Sequence, residues 1–529
     1  MYLLVSISSK NIHKALSVWY LKAQVTDRAF SVYETDINQN FFEILNDIYS
    51  KKPKVITFSC YIWNIELIKR LTIELKKLLP DTKIVAGGPE VSFNELIEPF
   101  DALIIGAEAS FLSFIEDYEN NPTKIKNRYF AQNKPFCEIT SPYTEEYFES
   151  FKSEKITDIK NRLVYYEASR GCPFNCSYCL SSADDIVEYL PLERVFKELT
   201  LLVNKGAKCI KFVDRTFNAN LKRATKILNF IKELDTDCTF HFEIAGDISN
   251  LEFFKAIKTM PKNRVQFEIG IQTITKEALL AVNRKTNIIR LNNNIKRLVS
   301  YGNCHIHIDL IAGLPFDSFE GILNSLDFCF DTNANMIQLG FLKLLKGSLL
   351  HKETYDTKFL TSPPYEITSS QFFSFEELTV LRGFDKIIDK FYNSGLYKNS
   401  FSYGLTLFSR PSDFIKELAN FLKDTPLSSI SQKNGYLLFA EFLTKFGQKE
   451  KAEFFVKLDA LSFNPKGKRL GFSTNRNIAV EKEFINKLNS KNILAEYFEF
   501  DKKIRVFDYE TKDSITKSYL KFILEDYDE

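Results

Sequence analysis

Twice within the first 350 residues, short apolar runs alternate with helical patterns, which restricts the chain to α/β folds built on parallel sheets. The first series of runs is Tyr2–Ile7, Phe30–Tyr33, Lys54–Ser59, Lys83–Ala86 and Ala102–Ile105. Helical spacing fills Asn11–Gln24, Gln39–Ser50 and Asn64–Leu79, as in Ile65, Ile68, Leu71 and Leu75. This predicts a doubly wound, flavodoxin- or Rossmann-like domain over 1–122, which receives ligands at the carboxyl ends of its strands. Residues 123–160 read as a linker, punctuated by Asn-Asn-Pro, Asn-Lys-Pro and Ser-Pro nearby. The second series is Val164–Ala168, Cys209–Val213, Thr239–Ile244, Arg264–Ile271, His305–Ile311 and Met336–Leu342. Six such units predict a partial (β/α)6 barrel over 161–355, with its functional rim at the strand C-termini. Beyond it, 356–529 reads as a mainly helical accessory domain. It has aromatic-rich helices at Phe375–Tyr392 and Gly435–Phe446, then strand-like Lys468–Ser473, Ala495–Phe500 and Ile504–Asp508.

Directly after the first barrel strand comes Gly171-Cys-Pro-Phe-Asn-Cys-Ser-Tyr-Cys, which places Cys172, Cys176 and Cys179 on one tight loop. Three thiolates at this spacing can hold three irons of a [4Fe–4S] cluster and leave the fourth open to a ligand. A structural zinc knot would need a fourth protein ligand, usually from a second Cys or His pair. None is near: the next histidine is His241. Inert burial of the thiols is the remaining alternative. The other six of the nine cysteines are scattered singly, which fits a reducing compartment rather than a disulfide framework. No run approaches the ~18 apolar residues of a membrane span. A net charge of +2 gives no broad basic surface for nucleic acid. These features predict a cytoplasmic protein without membrane or nucleic-acid partners.

The cysteine loop, with Tyr178 before its last cysteine, resembles that of the radical S-adenosylmethionine (SAM) superfamily. The resemblance implies cluster ligation by Cys172, Cys176 and Cys179, SAM on the open iron, and reductive cleavage of SAM to a 5′-deoxyadenosyl radical. Glu268-Ile-Gly-Ile-Gln272-Thr resembles the family's fourth-strand segment, so Glu268 and Gln272 are expected near the SAM ribose and carboxylate. Asp309-Leu-Ile-Ala-Gly313-Leu-Pro315 resembles the fifth, with Gly313 at the adenine. On the second strand the family's Gly-Gly-Glu is replaced by Asp214-Arg-Thr-Phe-Asn218, and Asp214 is expected to meet the methionine ammonium.

The N-terminal region resembles the cobalamin-binding domain that precedes many radical SAM domains, in three turns after successive strands. These are Ser59-Cys-Tyr-Ile-Trp-Asn64, Gly87-Gly88-Pro-Glu-Val-Ser92 and Gly106-Ala-Glu108. His13, in Asn11-Ile-His13-Lys-Ala-Leu16, stands where some such domains offer a cobalt ligand, but the orienting Asp and the Gly of that motif are missing. It reads as a cobalt ligand or as a helix-start or corrin-edge residue. The C-terminal region, together with Gly340-Phe-Leu-Lys-Leu-Leu-Lys-Gly347, resembles an uncharacterised subgroup with its own C-terminal domain.

The implied activity is cobalamin-dependent methylation of an unactivated carbon on a small-molecule or peptide substrate, fed by a flavodoxin- or ferredoxin-type reductant. Cyclisation or rearrangement without methyl transfer is one alternative. A non-enzymatic iron–sulfur or corrinoid scaffold is the other. A methylthiotransferase is disfavoured because only Cys60 and Cys137 precede the loop. Tyr365, Phe372, Phe373, Phe375, Phe391 and Tyr392 read as core of the third region rather than as cavity lining.

Overall fold

A computed structural model describes all residues except 26–28, 94–97, 107, 133, 153–157, 184–185, 353–354, 465–469, 471–474, 479–491, 499, 513–517 and 525–529. The first unit is a parallel sheet of β1 (Tyr2–Ser8), β2 (Phe30–Asp36), β3 (Val55–Ser59), β4 (Lys83–Gly87), β5 (Ala102–Ile105) and β6 (Arg128–Phe130). Its order is β2-β1-β3-β4-β5-β6, so the chain reverses direction across the sheet between β1 and β3. That switch point opens a crevice at the strand C-termini. Strands β1 and β3 are buried on both faces by helices, which explains their unbroken apolar runs. β6 belongs to the stretch read as a linker, and three residues are too few to show a period.

One helix is shorter than its pattern. Residues 11–16 are not helical; the helix is Ser17–Ala23. The backbone before it bonds to the second unit instead: Leu163 N donates to the Ile12 carbonyl at 2.7 Å and Lys14 N to the Leu163 carbonyl at 3.3 Å.

The second unit opens with β7 (Leu163–Tyr166), followed by a two-residue ribbon of β8 (Ser169–Arg170) and β9 (Glu188–Tyr189). It continues through β10 (Cys209–Phe212), β11 (Thr239–Ile244), β12 (Val265–Gln272), β13 (His305–Ala312) and β14 (Met336–Phe341). These make an all-parallel sheet of order β14-β13-β12-β11-β10-β7. Edge strands β7 and β14 do not pair, so the barrel stays open. Strands β10 to β13 alternate apolar and polar residues over their central positions. Ile210, Phe240, Phe242, Phe267, Ile269, Ile306 and Ile308 are fully buried against helices. The register brings Lys211, His241, Glu243, Glu268, His307 and Asp309 to the opposite, inner face.

The third unit begins with a hairpin of β15 (Thr357–Phe359) and β16 (Ile367–Ser370). Five helices lie between Phe375 and Phe463, and an antiparallel sheet of β17 (Asn475–Ile478), β18 (Ile493–Phe498), β19 (Lys503–Asp508) and β20 (Leu520–Leu524) closes the chain. The predicted strand Lys468–Ser473 lies, but for Leu470, outside the described residues. Ser374 opens the first helix with a reciprocal capping box to Glu377. Phe373 and Phe391 are buried in the core and Phe375 is exposed. One hydrophobic core runs through all three units, from Leu4 and Phe111 through Tyr166 and Phe212 to Phe384 and Phe439.

Candidate active site: two cavities meeting at the barrel mouth

The turns after β3, β4 and β5 converge on one cavity of about 560 Å³, lined by His13, Ser59, Gly87, Gly88, Gly106 and Glu108. Its wall is amphipathic. The hydroxyls of Ser6, Ser8, Ser17 and Ser59 face the rings of Tyr20, Tyr61, Trp63 and Tyr165. Buried Asn64 holds the first turn in place: its amide donates to the carbonyls of Ile7 (2.9 Å) and Ser59 (3.0 Å), and its oxygen accepts from Tyr61 N (2.7 Å). Ser59 and Ser17 hydroxyls lie 2.9 Å apart, and Tyr61 stacks on Trp63 at 4.5 Å.

Gly88 has φ +104°, and a Cβ there would sit 2.5 Å from the Cys60 carbonyl oxygen. Gly106 has φ +90° but open space, with nothing nearer than Ser110 Oγ at 3.7 Å. Gly88→Ala is therefore expected to cost about 3 kcal/mol or more, and Gly106→Ala about 1 kcal/mol. Denaturant midpoints of the full chain check this; equal effects would contradict it.

His13 sits at the seam between units. Its backbone bridges to Leu163, and its Nδ1 lies 2.8 Å from the Tyr165 hydroxyl. Burial, followed by the charges of Lys10, Lys211 and Arg162, lowers its pKa and keeps the imidazole neutral.

A second cavity of about 240 Å³ is lined by Cys172, Cys176, Tyr178 and Cys179 together with Glu268 and Gln272. The three thiols of the loop thus face one space, and among the described residues no histidine lines it. Burial pushes the Cys172 thiol up, against the Phe174 N–H and the Thr216 hydroxyl, whose oxygen is 3.7 Å from the sulfur. Metal must displace that proton. Gln272 adopts φ +70° at a bulge in β12, and its buried side-chain oxygen has no hydrogen-bond partner. An orphaned acceptor beside three converging thiols is what a site built for a cluster and a polar ligand leaves when side chains are counted alone. Both cavities therefore fit the groups expected of them.

Arg284 was not legible in the sequence. It follows the helix Lys276–Ala281, donates to the Gly270 carbonyl and to the Tyr178 hydroxyl (3.2 Å), and reaches Cys176 Sγ at 3.8 Å. Neighbouring Asn283 donates to the Asn175 carbonyl at 3.0 Å, so one turn braces the cysteine loop. Arg215 lines both cavities and marks where they meet. On the floor, burial opposes ionisation of Glu268, but His241 at 2.8 Å and Lys211 at 3.0 Å prevail and hold it down to about 2.

Two residues expected at SAM lie outside the lining of both cavities. Asp214 lines neither cavity; buried behind the loop, it accepts from Ala168 N (2.9 Å) and the Ser169 hydroxyl (2.5 Å). These bonds turn its carboxylate toward the strand that leads into the cysteines, so it positions that loop. Gly313 (φ +97°) packs against Ile367 of the third unit, 2.9 Å from where its Cβ would be. The glycine admits that neighbour.

Burial raises the Asp214 carboxyl to about 7, against bonds that favour its charge. The folded state then holds a proton that the unfolded state has lost above about pH 4. Stability should fall as pH rises from about 4 to 7, by as much as about 4 kcal/mol. Asp214→Asn should flatten this slope in denaturant titrations at pH 5 and pH 8.

Family models match the chain in three places: B12 binding domain over residues 2–111, Radical SAM superfamily over 166–329, and a protein of unknown function, DUF4080, over 353–527. An uncharacterized methyltransferase of Pyrococcus horikoshii is 28% identical, with 46% of this chain and 52% of that protein covered. Bacteriochlorophyllide d C-8(2)-methyltransferase of Chlorobaculum tepidum is 22% identical (54% and 64% covered). Cobalamin-dependent radical SAM methyltransferase TokK of Streptomyces tokunonensis is 26% identical (55% and 47%). The chain thus spans about half to two thirds of the length of these relatives. In fold, it resembles the cobalamin-dependent SAM radical enzyme OxsB with a TM-score of 0.57 at 14% identity, covering 87% of this chain and 80% of that one. The radical SAM methyltransferase TsrM of Kitasatospora setae gives 0.51 at 13% identity (66% and 73%). Two domain models in tandem, each on the unit whose strand ends build one cavity, make this chain a member of the radical SAM superfamily with an N-terminal B12-binding domain.

Proposed function

We propose that the chain is a cobalamin-dependent radical SAM methyltransferase acting on an unactivated carbon of a small molecule or peptide. The observation that carries this reading is the junction of the two cavities at Arg215. A group held in the larger cavity and one held at the cysteines would face the same space. With a [4Fe–4S] cluster, SAM and cobalamin bound, the site would supply one-electron cleavage of SAM to a 5′-deoxyadenosyl radical and a methyl group carried on cobalt.

The chain's own part is placement. Cys172, Cys176 and Cys179 would hold the cluster, and Arg284 and Tyr178 would keep the loop rigid beside it. Gln272, with its unpaired oxygen, would orient SAM. Ser59, Gly87, Gly88, Gly106 and Glu108 would cradle cobalamin, with His13 at its edge as a neutral imidazole. In this reading 1–122 carries cobalamin, 123–160 links, 161–355 carries the cluster and 356–529 covers the assembly. Methylthiotransferases named ribosomal protein uS12 methylthiotransferase RimO also match parts of the chain. Cys60, however, is fully buried with its thiol pushed up by burial, which removes one of only two cysteines available for an N-terminal cluster. Among the described residues, no helix is long and apolar enough to cross a membrane.

The test is anaerobic purification with cobalamin, reduction, and product analysis with methyl-labelled SAM in extracts of deletion cells. About four irons, one corrinoid, 5′-deoxyadenosine and labelled product are expected. A corrinoid-free preparation that cleaves SAM normally would reduce the reading to a plain radical SAM enzyme. Unlabelled product would favour cyclisation or rearrangement. No cleavage with cluster and SAM bound would favour a scaffold.

A further inference from the structure

We propose that Glu268, His307 and Asp309 form a site for one divalent cation of the Mn²⁺ class on the floor of the cysteine cavity. Ligand atoms of the three, one from each, lie within 4.8 Å of one another. Glu268 and His307 are register partners on β12 and β13, and Asp309 follows two residues on, so the sheet itself places the set on one face.

The second observation is a contact that is close yet unmade. His307 Nε2 and Asp309 Oδ1 lie 2.9 Å apart, but neither has a hydrogen bond of acceptable geometry, and His307 is 7% exposed. The two atoms stand at ion-pair distance but outside hydrogen-bond alignment, which leaves both with coordination to spare for a third partner. Ligands at about 2.1 Å from one ion, at right angles, stand about 3.0 Å apart, as these do. One imidazole with two carboxylates suits Mn²⁺ and neighbouring metals better than thiolate-seeking ones. Oε2 of Glu268 meets the Lys211 ammonium at 3.0 Å and the ring Nε2 of His241, whose pKa burial lowers, at 2.8 Å. Lys211 is also 4.0 Å from Glu243, which can receive the ammonium once a metal takes Glu268. Glu268 and Asp309 both line the cavity, so the open positions of the ion would face it and suit a hydroxyl or carboxylate oxygen of the substrate. Glu268 is thereby reassigned from SAM to the metal. The proposal is independent of methyl transfer.

The experiment uses the full chain with its cluster reconstituted in the oxidised, EPR-silent state, and Mn²⁺ as probe. Loss of the free-ion EPR signal should report one Mn²⁺ per chain, and pulsed EPR should show coupling to one imidazole nitrogen. His307→Gln should remove that coupling, and His307→Gln and Asp309→Asn should each weaken binding by about 10-fold or more. Asp36→Asn, in the separate acidic cavity beyond β2, should leave binding unchanged and serves as the folded control. No uptake by the wild-type chain overturns the proposal. So does uptake without nitrogen coupling, or uptake lost only in Asp36→Asn.

Discussion

Alanine at Cys172, Cys176 and Cys179 together is expected to reduce the iron content from about four per chain to near zero and to abolish formation of 5′-deoxyadenosine. The expectation rests on what surrounds the loop. All three thiols face the same 240 Å³ cavity, and among the described residues no histidine lines it to replace a lost ligand. The loop is also braced independently of metal: Ser177 N donates to the Val282 carbonyl (3.0 Å) and Leu350 N to the Ser177 carbonyl (2.7 Å). The triple variant should therefore fold, keep its corrinoid, and lose only the chemistry of the cluster. Single variants should retain partial iron and little activity, because two thiolates cannot set the geometry of the open iron. Iron assay, corrinoid absorbance and chromatography of the SAM products read the three outcomes separately. Retained SAM cleavage in the triple variant would remove the basis of the radical SAM reading for this chain.

The two β/α series were legible because their strands are buried on one or both faces, so apolar runs mark them directly. The cavity residues after β3, β4 and β5 were legible for a related reason: glycine at a strand's end answers a backbone need that the local sequence states. Asp214 and Gly313 fall outside the cavity linings because a strand-end position names a rim but not the direction a side chain takes from it. Asp214 turns back to Ala168 and Ser169, and Gly313 faces Ile367 from more than fifty residues away. Arg284 carried no signal, since only the tertiary fold brings its turn under the cysteine loop. The polar inner face did leave a trace. Thr-Phe-His-Phe-Glu-Ile and His-Ile-His-Ile-Asp alternate at period two, and three of the chain's five histidines, His241, His305 and His307, fall there. A lining of charged and imidazole side chains inside an open barrel is costly unless a ligand uses it, so that alternation was a site signal as much as a strand signal.

The second large effect is expected from Arg170→Met. Arg170 stands two residues before Cys172 and contacts both carboxylates that border the larger cavity near the junction. Its guanidinium donates to Glu108 across the domain seam, two contacts at 3.3 Å, and to Glu167 at 3.1 and 3.0 Å. The rings of Phe136 and Tyr20 cover it at 4.5 and 5.7 Å. Burial disfavours the charge on Arg170, yet Glu167 and then Glu108 more than offset this and raise its pKa, so it is a cation at any working pH. Methionine would keep much of the stem's packing but leave Glu108, 3% exposed, buried without a counter-charge and facing Glu167. Removing one partner of such a buried set costs about 3–5 kcal/mol. Arg170→Lys should recover only part of this, because an ammonium lacks the planar fork that meets each of the two carboxylates bidentately. Glu108→Gln should cost less than Arg170→Met, since it leaves the guanidinium paired with Glu167. Because the same residue ties the B12-binding unit to the strand that feeds the cysteine loop, Arg170→Met should weaken corrinoid retention and SAM cleavage together. Glu108→Gln should act mainly on corrinoid. A thermal midpoint and a corrinoid content unchanged in Arg170→Met would show that the two units are held together by the shared hydrophobic core alone.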